Sequence, residues 1–330
     1  MGRQRHGAAM AVGALALSLA AAVSGCGATG DGAGGPNGAG GDVPRIGGGD
    51  EVPALPLDRY RMTDEDSERL VRARDRLVQR CMRDLGFTGF PLRPKDPRGS
   101  RSGGSPDFAL SVVLVSSTPM GSLDLEDARR WGYGWDPERV REQGLGEPDG
   151  LAMTQREYQA YHGWSGTAGG RVTVGGRAVP EGGCAGQAGR ELRLTDVRSL
   201  TTRNYPAERG EAVDQAARKD ERVRRAWAQW ARCMADKGFT GYSDSREAAR
   251  DRKWRRDARG NTSHGEREVA TAVADVECNR AHNTAGQVWA VLAERQRADL
   301  DRNEPRYAAA AKETAALRAK ADLVLDGPAK

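Results

Sequence analysis

A block of eleven residues occurs twice in this chain, and each copy carries a cysteine near the predicted end of a helix. Residues 80–90 read RCMRDLGFTGF, and residues 232–242 read RCMADKGFTGY. Eight of the eleven positions are identical. A match of this density indicates an internal duplication, so the chain is expected to fold into two related halves.

Each copy of the block follows residues with the apolar spacing of an amphipathic helix. In the helix that ends at the first copy, the apolar residues are Val71, Val78 and Met82. In the helix that ends at the second copy, they are Val223, Trp230 and Met234. Gly86 and Gly238 stand where a helix ends in a left-handed residue, and Phe87 and Phe239 follow as the usual apolar contact. The block therefore predicts a packing unit, with a binding motif as the alternative.

Five cysteines are present: Cys26, Cys81, Cys184, Cys233 and Cys278. The four after Cys26 allow three pairings. If the two halves share one plan, each repeated cysteine pairs with the next one downstream, which gives Cys81–Cys184 and Cys233–Cys278. The alternative is a metal site that uses Cys278 and His282, four residues apart on a predicted helix. No Cys-x-x-Cys pair accompanies them, so the sequence favours disulfides and no metal or cofactor.

The N-terminal segment has the parts of a secretory signal peptide. Arg3 and Arg5 precede an apolar run over residues 8–22, and Val23-Ser24-Gly25 leads directly to Cys26. The last four residues resemble the lipobox of bacterial lipoproteins, which implies that Cys26 is lipidated and begins the mature chain. The run is shorter than the roughly 20 residues of a spanning helix. An ordinary secreted protein and a transmembrane anchor are the alternatives.

Composition divides the chain into four segments. Residues 1–25 are assigned to the signal peptide, and residues 26–50 to a flexible tether, because residues 27–50 hold eleven glycines in 24 positions. Residues 51–205 form the first half, helical with loops and a hairpin near 171–180 that turns at Gly175-Gly176. Residues 206–330 form the second half, which begins with one long helix over 206–237. The predicted fold is a mainly α, disulfide-stapled helical bundle of two related halves.

The repeated Cys-Met-x-x-x-Gly-Phe helix end has further motifs around it. Its second copy follows Ala226-Trp227-Ala228-Gln229-Trp230. Gly182-Gly183-Cys184 lies downstream of the first copy, and Glu268-Val269-Ala270, which leads to Asp275 and Cys278, lies downstream of the second. Together these resemble a set of actinobacterial, Streptomyces-like secreted proteins and lipoproteins of unknown function over most of residues 60–300. The shared motifs are short and structural, and the resemblance implies no activity.

One aromatic and acidic stretch is a candidate binding patch. Its aromatic residues are Trp131, Tyr133, Trp135, Tyr158, Tyr161 and Trp164, and Asp136, Glu138, Glu142 and Glu157 lie among them. Core packing is one interpretation. The others are binding of a glycan or peptide, or glycoside hydrolysis by paired carboxylates. Gly163-Trp164-Ser165-Gly166-Thr167 approaches a nucleophile elbow, but Thr167 replaces the second glycine, so no catalytic residue is assigned.

A second stretch, residues 246–259, holds seven basic residues around Trp254. It is interpreted as a solvated helix face or as a surface that attracts anionic wall polymer or lipid headgroups. Loss of Arg3 and Arg5 with the signal peptide leaves 49 basic against 46 acidic residues, a net charge near +3. That balance, together with export, argues against a nucleic-acid partner.

These observations favour a membrane-anchored, extracytoplasmic lipoprotein that is a non-enzymatic binding or structural protein of the cell envelope. It is expected on the outer face of the cytoplasmic membrane, held by the lipid on Cys26. Its further partner is expected to be a cell-wall polymer or an envelope protein. The first alternative is a glycan-acting envelope enzyme that uses the patch at 131–164. The second is a solute-binding lipoprotein, which requires two α/β lobes.

Overall fold

The computed structural model describes residues 43–94, 120–121, 123–136, 138, 152–164, 172–257 and 260–327. The nine α-helices of these residues are α1 (Asp64–Asp84), α2 (Leu125–Trp131), α3 (Gln155–His162), α4 (Gly183–Glu191), α5 (Val197–Arg218), α6 (Glu221–Asp236), α7 (Ser245–Ala249), α8 (Glu266–His282) and α9 (Thr284–Asp326). Strands β1 (Thr173–Val174) and β2 (Arg177–Ala178) form an antiparallel hairpin. The predicted mainly α, disulfide-stapled bundle with a hairpin near 171–180 is confirmed.

Both repeated blocks end a helix in the same way. The N–H groups of Gly86 and Phe87 donate to the carbonyls of Arg83 and Met82, at 2.9 and 3.0 Å. In the second copy the N–H groups of Gly238 and Phe239 donate to Ala235 and Met234, both at 2.9 Å. The two glycines have φ of 101° and 89°. This is the Schellman arrangement, in which a left-handed residue lets the last carbonyls find donors.

Each repeated helix is joined to a later helix by a disulfide. Cys81 of α1 bonds Cys184 of α4, and Cys233 of α6 bonds Cys278 of α8. Cys184 and Cys278 are fully buried. The pairing predicted from the duplication is confirmed, and the proposed metal pair of Cys278 and His282 is wrong because the Cys278 sulfur is taken by Cys233.

The single helix predicted over residues 206–237 is two helices. Helix α5 begins at Val197 and ends at Arg218, and α6 begins at Glu221. The side chain of Asp220 accepts a hydrogen bond from the N–H of Arg222, so it caps α6 at the break. Pro206 lies inside α5, and the predicted border between the halves at 205 and 206 therefore falls within a helix.

Helix α9 is 43 residues long and connects the two halves. Its backbone leaves the helical region at Asn303, with φ −124° and ψ 19°, two residues before Pro305. Proline lacks the N–H that an interior helical position requires, which accounts for the kink. Beyond it, Leu317 and Ala321 are buried in the core of the first half. Arg318 donates to Asp66 near the start of α1 at 2.8 Å.

Residues 43–48, here named the docked segment, lie against the start of α9. Ile46 is 1% exposed, and its N–H donates to Asn283 Oδ1 at 3.1 Å. Asn283 Nδ2 donates to the carbonyl of Pro44 at 3.0 Å. The predicted tether extended to residue 50, but burial of Ile46 fixes these residues to the domain. Cys26 and the predicted signal peptide lie outside the described residues.

Candidate functional site: a basic loop on a buried carboxylate cluster

Asp275 of α8 is fully buried and surrounded by neutral hydrogen-bond donors. Trp230 Nε1 donates to its Oδ1 at 2.9 Å, and the Tyr133 hydroxyl donates to its Oδ2 at 3.2 Å. The hydroxyl of Ser245 donates to the same Oδ2. Burial in a poorly polarisable interior disfavours the charged form and raises the pKa of this carboxyl to about 7.

Glu268 lies two turns before Asp275 on the same helix and is 1% exposed. The N–H of Tyr133 donates to its Oε1 at 3.0 Å. Gly132 packs so closely that a Cβ there would lie 2.8 Å from the same oxygen. Within the described residues, Glu268 Oε2 has no hydrogen-bond partner. The segment at 132–133 is therefore held by both buried carboxylates.

The basic loop, defined as residues 250–256, is built on this cluster. Trp254 at its centre is 3% exposed, and its Nε1 donates to the carbonyl of Ala248 at 2.7 Å. Its ring stacks on that of Tyr133 with centroids 6.0 Å apart. Ser245, which begins the preceding helix α7, is bound to Asp275. The buried cluster therefore fixes the loop at its centre and at its entry.

The loop directs five basic side chains into solvent: Arg250, Arg252, Lys253, Arg255 and Arg256. Lys253 pairs with Asp251 at 3.2 Å. Arg256 donates to the carbonyls of Ala249 and Gly260 at 2.7 and 2.8 Å. The side chains of the other three arginines have no ion pair or hydrogen bond to any described residue. The stretch 246–259 was interpreted as a solvated helix face or as a surface that attracts anions. Of its described residues, 246–257, only 246–249 are α-helical, because the chain turns to bury Trp254.

The backbone of Arg255 is in the left-handed region, with φ 43° and ψ 77°. A side chain with a Cβ makes this conformation unfavourable by roughly 1–2 kcal/mol. Arg193 also has a positive φ, of 57°. Its guanidinium, however, bonds Ser199 and lies 3.7 Å from Glu313, so local contacts account for it. Arg255 has no such contacts with the described residues.

The six aromatic residues of the predicted patch do not form one surface, and three of them belong to two separate hydrophobic clusters. Tyr158 and Tyr161 are buried in the core around α1 and α4, whereas Tyr133 packs with α6, α7 and α8. Trp131 contacts His264, with ring centroids 5.4 Å apart, and the N–H of Trp135 donates to Asn261. Trp164 is 46% exposed.

Two acidic residues of the predicted patch accept hydrogen bonds from nearby backbone N–H groups. Glu157 belongs to the capping box of α3, and Asp136 accepts a hydrogen bond from the N–H of Glu138. Glu142 lies outside the described residues. The structure therefore brings Tyr133 to the buried cluster, and it places Tyr158 and Tyr161 in the other core.

Sequence reasoning missed the polar face of α8. Glu268, Thr271, Asp275 and Asn279 are each at most 1% exposed and recur at helical spacing. Polar residues at helical spacing on an otherwise apolar face could have indicated this buried polar face, since buried polar groups need specific partners. Asn279 completes the face by donating to the carbonyl of Met120 at 2.7 Å.

A groove of about 380 Å³ lies elsewhere, between Tyr60 and α9. Its lining includes Arg59, Arg318, Glu304 and several alanines. Arg318 is engaged by Asp66, and Glu304 offsets the charge of Arg59. The lining of the groove thus holds charges of both signs, whereas the exposed charges of the basic loop are almost all positive.

Comparison with protein-family models, curated proteins and solved structures found no match to this chain. Across the residues that the structure describes, no His, Cys, Asp and Glu side chains group in threes or more as a metal site. The helices of that part of the chain include none both long and apolar enough to cross a membrane.

Proposed function

We propose that the protein is an exported lipoprotein, held on the outer face of the cytoplasmic membrane by acyl chains on Cys26, and that it is a binding or structural protein of the cell envelope. The residues that motivate the anchor are Val23-Ser24-Gly25-Cys26 after an apolar run. Two acyl chains give stable attachment, whereas a single chain binds membranes only marginally.

The two disulfides support the proposal that the protein is exported. Both join helices through cysteines inside hydrophobic clusters, with Cys184 and Cys278 fully buried. Disulfides of this kind persist in oxidising compartments and are rare in the cytosol, where thiols are kept reduced. A bundle that depends on two of them is suited to the outside of the membrane.

The use of the buried acids favours a binding or structural role over catalysis. Asp275 and Glu268 hold Ser245, Tyr133 and Trp230 in place. A general acid or base must lie within hydrogen-bond reach of the group it protonates or deprotonates. These two carboxylates are enclosed by the side chains and backbone that they position.

Fractionation of cells that express the wild type and Cys26→Ala tests the anchor. The wild type is expected in the membrane fraction, with a mature N-terminus at Cys26 that carries acyl mass. Cys26→Ala is expected to lack that mass. Ser18→Ala, a small change within the apolar run, is the control and should behave as the wild type. Equal membrane retention of all three without acyl mass would refute the lipoprotein proposal.

A further inference from the structure

We infer that the basic loop is a docking surface for anionic phospholipid headgroups, so that the domain rests against the membrane that holds it. This inference takes its location from the proposed lipid anchor. Headgroup binding by the loop does not itself require the anchor, because the basic side chains lie far from Cys26 in the sequence. The surface consists of Arg250, Arg252 and Arg255, whose side chains pair with none of the described residues, and of Lys253 and Arg256 beside them.

Charge density is the first argument. Five of the seven residues from 250 to 256 are basic, and the single acid among them is Asp251. Asp251 already accepts a hydrogen bond from the Tyr242 hydroxyl at 2.8 Å and pairs with Lys253. Guanidinium groups match the geometry of phosphate oxygens and bind them by two parallel hydrogen bonds. The loop is therefore complementary to a surface of phosphate groups.

The backbone of Arg255 is the second argument. Glycine adopts φ 43° without strain, yet the chain has an arginine there. Among the described residues one further arginine is left-handed, Arg193, and it has ion-pair partners that explain its position. Strained residues concentrate at binding sites, where the surrounding structure maintains them for a purpose. The side chain of Arg255 is exposed and unpaired within the described residues, so we assign its purpose to an external partner.

Rigidity is the third argument. The loop is held by the buried Trp254 ring against Tyr133, and the N–H of Ser263 donates to the carbonyl of Trp254 at 3.0 Å. Ser245 and Asp275 fix the helix that leads into it. A surface that is ordered before it binds loses less conformational entropy on binding. The buried cluster, which lies beneath the arginines, thus serves to keep the basic loop ordered.

The position of the tether favours the bilayer over a more distant wall polymer. The docked segment is hydrogen-bonded to Asn283. Asn283 follows Asp275 by eight residues, which corresponds to about 12 Å along a helix axis. Seventeen peptide units separate Cys26 from Val43, which limits the distance to the anchor to about 60 Å. Anchoring keeps headgroups within this reach at all times, which raises their effective concentration at the loop.

Vesicle co-sedimentation tests the inference with the mature chain, residues 26–330, carrying Cys26→Ser so that no acyl chain contributes. Residues 41–330 form one compact unit, and this chain includes all of them. We expect salt-sensitive binding to phosphatidylcholine vesicles that contain phosphatidylglycerol, and much weaker binding to phosphatidylcholine alone. Because the anchor is absent, failure of the lipidation proposal and failure of this one are distinguished.

Arg255→Gly is the decisive variant, because it removes the charge and relieves the backbone. Binding to phosphatidylglycerol vesicles should weaken about fivefold, since a basic residue near an anionic surface contributes about 1 kcal/mol. Its melting temperature should not fall. Arg193→Gly is the matched control: it removes the other left-handed arginine and should leave vesicle binding unchanged. Combining Arg255→Gly with Arg250→Gln and Arg252→Gln should weaken binding about a hundredfold.

Three results would overturn the inference. The first is wild-type binding that does not depend on phosphatidylglycerol. The second is an equal loss of binding in Arg255→Gly and Arg193→Gly. The third is binding to soluble inorganic polyphosphate without binding to the vesicles, which would point to an anionic polymer instead of a membrane.

Discussion

At the scale of single residues, Asp275 makes the stability of the domain depend on pH. Its pKa is about 7 in the folded chain, above the 3.8 of an ordinary Asp, because the carboxyl is buried. Between these two values the folded state keeps a proton that the unfolded chain has lost. The contribution of this carboxyl to stability is therefore complete below pH 3.8 and declines as the pH rises to about 7.

Asp275→Asn should remove this dependence, because an amide hydrogen-bonds in the same place without titrating. Relative to the wild type, the variant should gain roughly 1 kcal/mol of unfolding free energy per pH unit between pH 5 and 6, and the gain should level off as the pH passes about 7. Chemical denaturation at several pH values measures the difference. A constant difference across that range would contradict the assignment.

Asp220→Asn is the control with the opposite sign. A hydrogen bond from the Arg222 side chain holds the pKa of Asp220 far below its usual range. The stability that this carboxylate contributes is present above its ordinary pKa and is lost as the pH falls. Asp220→Asn should therefore cost stability at neutral pH, with a smaller cost in acid.

The environment of Asp275 could not be predicted from the sequence. Its donors Ser245, Trp230 and Tyr133 lie 30, 45 and 142 residues away. Local periodicity marks α8 as a helix but does not identify which distant side chains meet its polar face. The basic residues of 250–256 were visible as a charged stretch, whereas the burial of Trp254 beneath them was not.

At the scale of elements, the repeated helix ends depend on a conformation that only glycine adopts easily. Gly86 and Gly238 are left-handed, and a Cβ at either would meet no atom within 4 Å. The cost of a side chain there is therefore conformational and not steric. The sequence predicted these ends correctly because the signals for them, a glycine and the following phenylalanine, are local.

Gly86→Ala and Gly238→Ala should each lower the free energy of unfolding by about 1–2 kcal/mol. Gly89→Ala is the matched control, since its Cβ would also meet open space but its φ is not left-handed. Thermal melting of the three variants gives the comparison. If Gly89→Ala were as harmful as the other two, the conformational explanation would have to be abandoned.

The break between α5 and α6 shows where local signals were insufficient. Neither glycine nor proline stands at Lys219-Asp220, and apolar residues continue on both sides. The cap is formed by Asp220 alone, whose side chain bonds the N–H of Arg222 at 3.0 Å. An aspartate in a charged stretch is a weak stop signal unless packing bends the chain there.

At the scale of the whole molecule, the last described helix, α9, packs against the first, α1. Leu317 and Ala321 of α9 share a core with α1 and α4. Arg69 of α1 pairs with Asp322 at 3.3 Å, and Arg318 pairs with Asp66. The sequence predicted two halves, and the disulfides follow that plan. The packing of α9 on α1 joins residues about 250 apart, which no periodicity could reveal.

Leu317→Ala should destabilise the first half by about 2–5 kcal/mol, as truncation of a buried leucine does elsewhere. Leu317 is 3% exposed, whereas Leu323, one and a half turns further on, is 75% exposed. Leu323→Ala is thus the control and should change stability by less than about 0.5 kcal/mol. Denaturant titration of both variants measures the effect. Equal, small effects would show that α9 does not stabilise α1.

The packing of α9 on α1 also determines when the domain can be completed during synthesis. Under the export proposed above, the N-terminus would emerge first, so α1 would reach the outside while Leu317 was still behind the membrane. More than 200 residues lie between α1 and Leu317. Until they have also emerged, the apolar residues of α1 that α9 covers would be exposed to water and to other chains. Exported chains of this design are therefore expected to depend on a chaperone or on rapid translocation, and α1 is the segment most in need of protection.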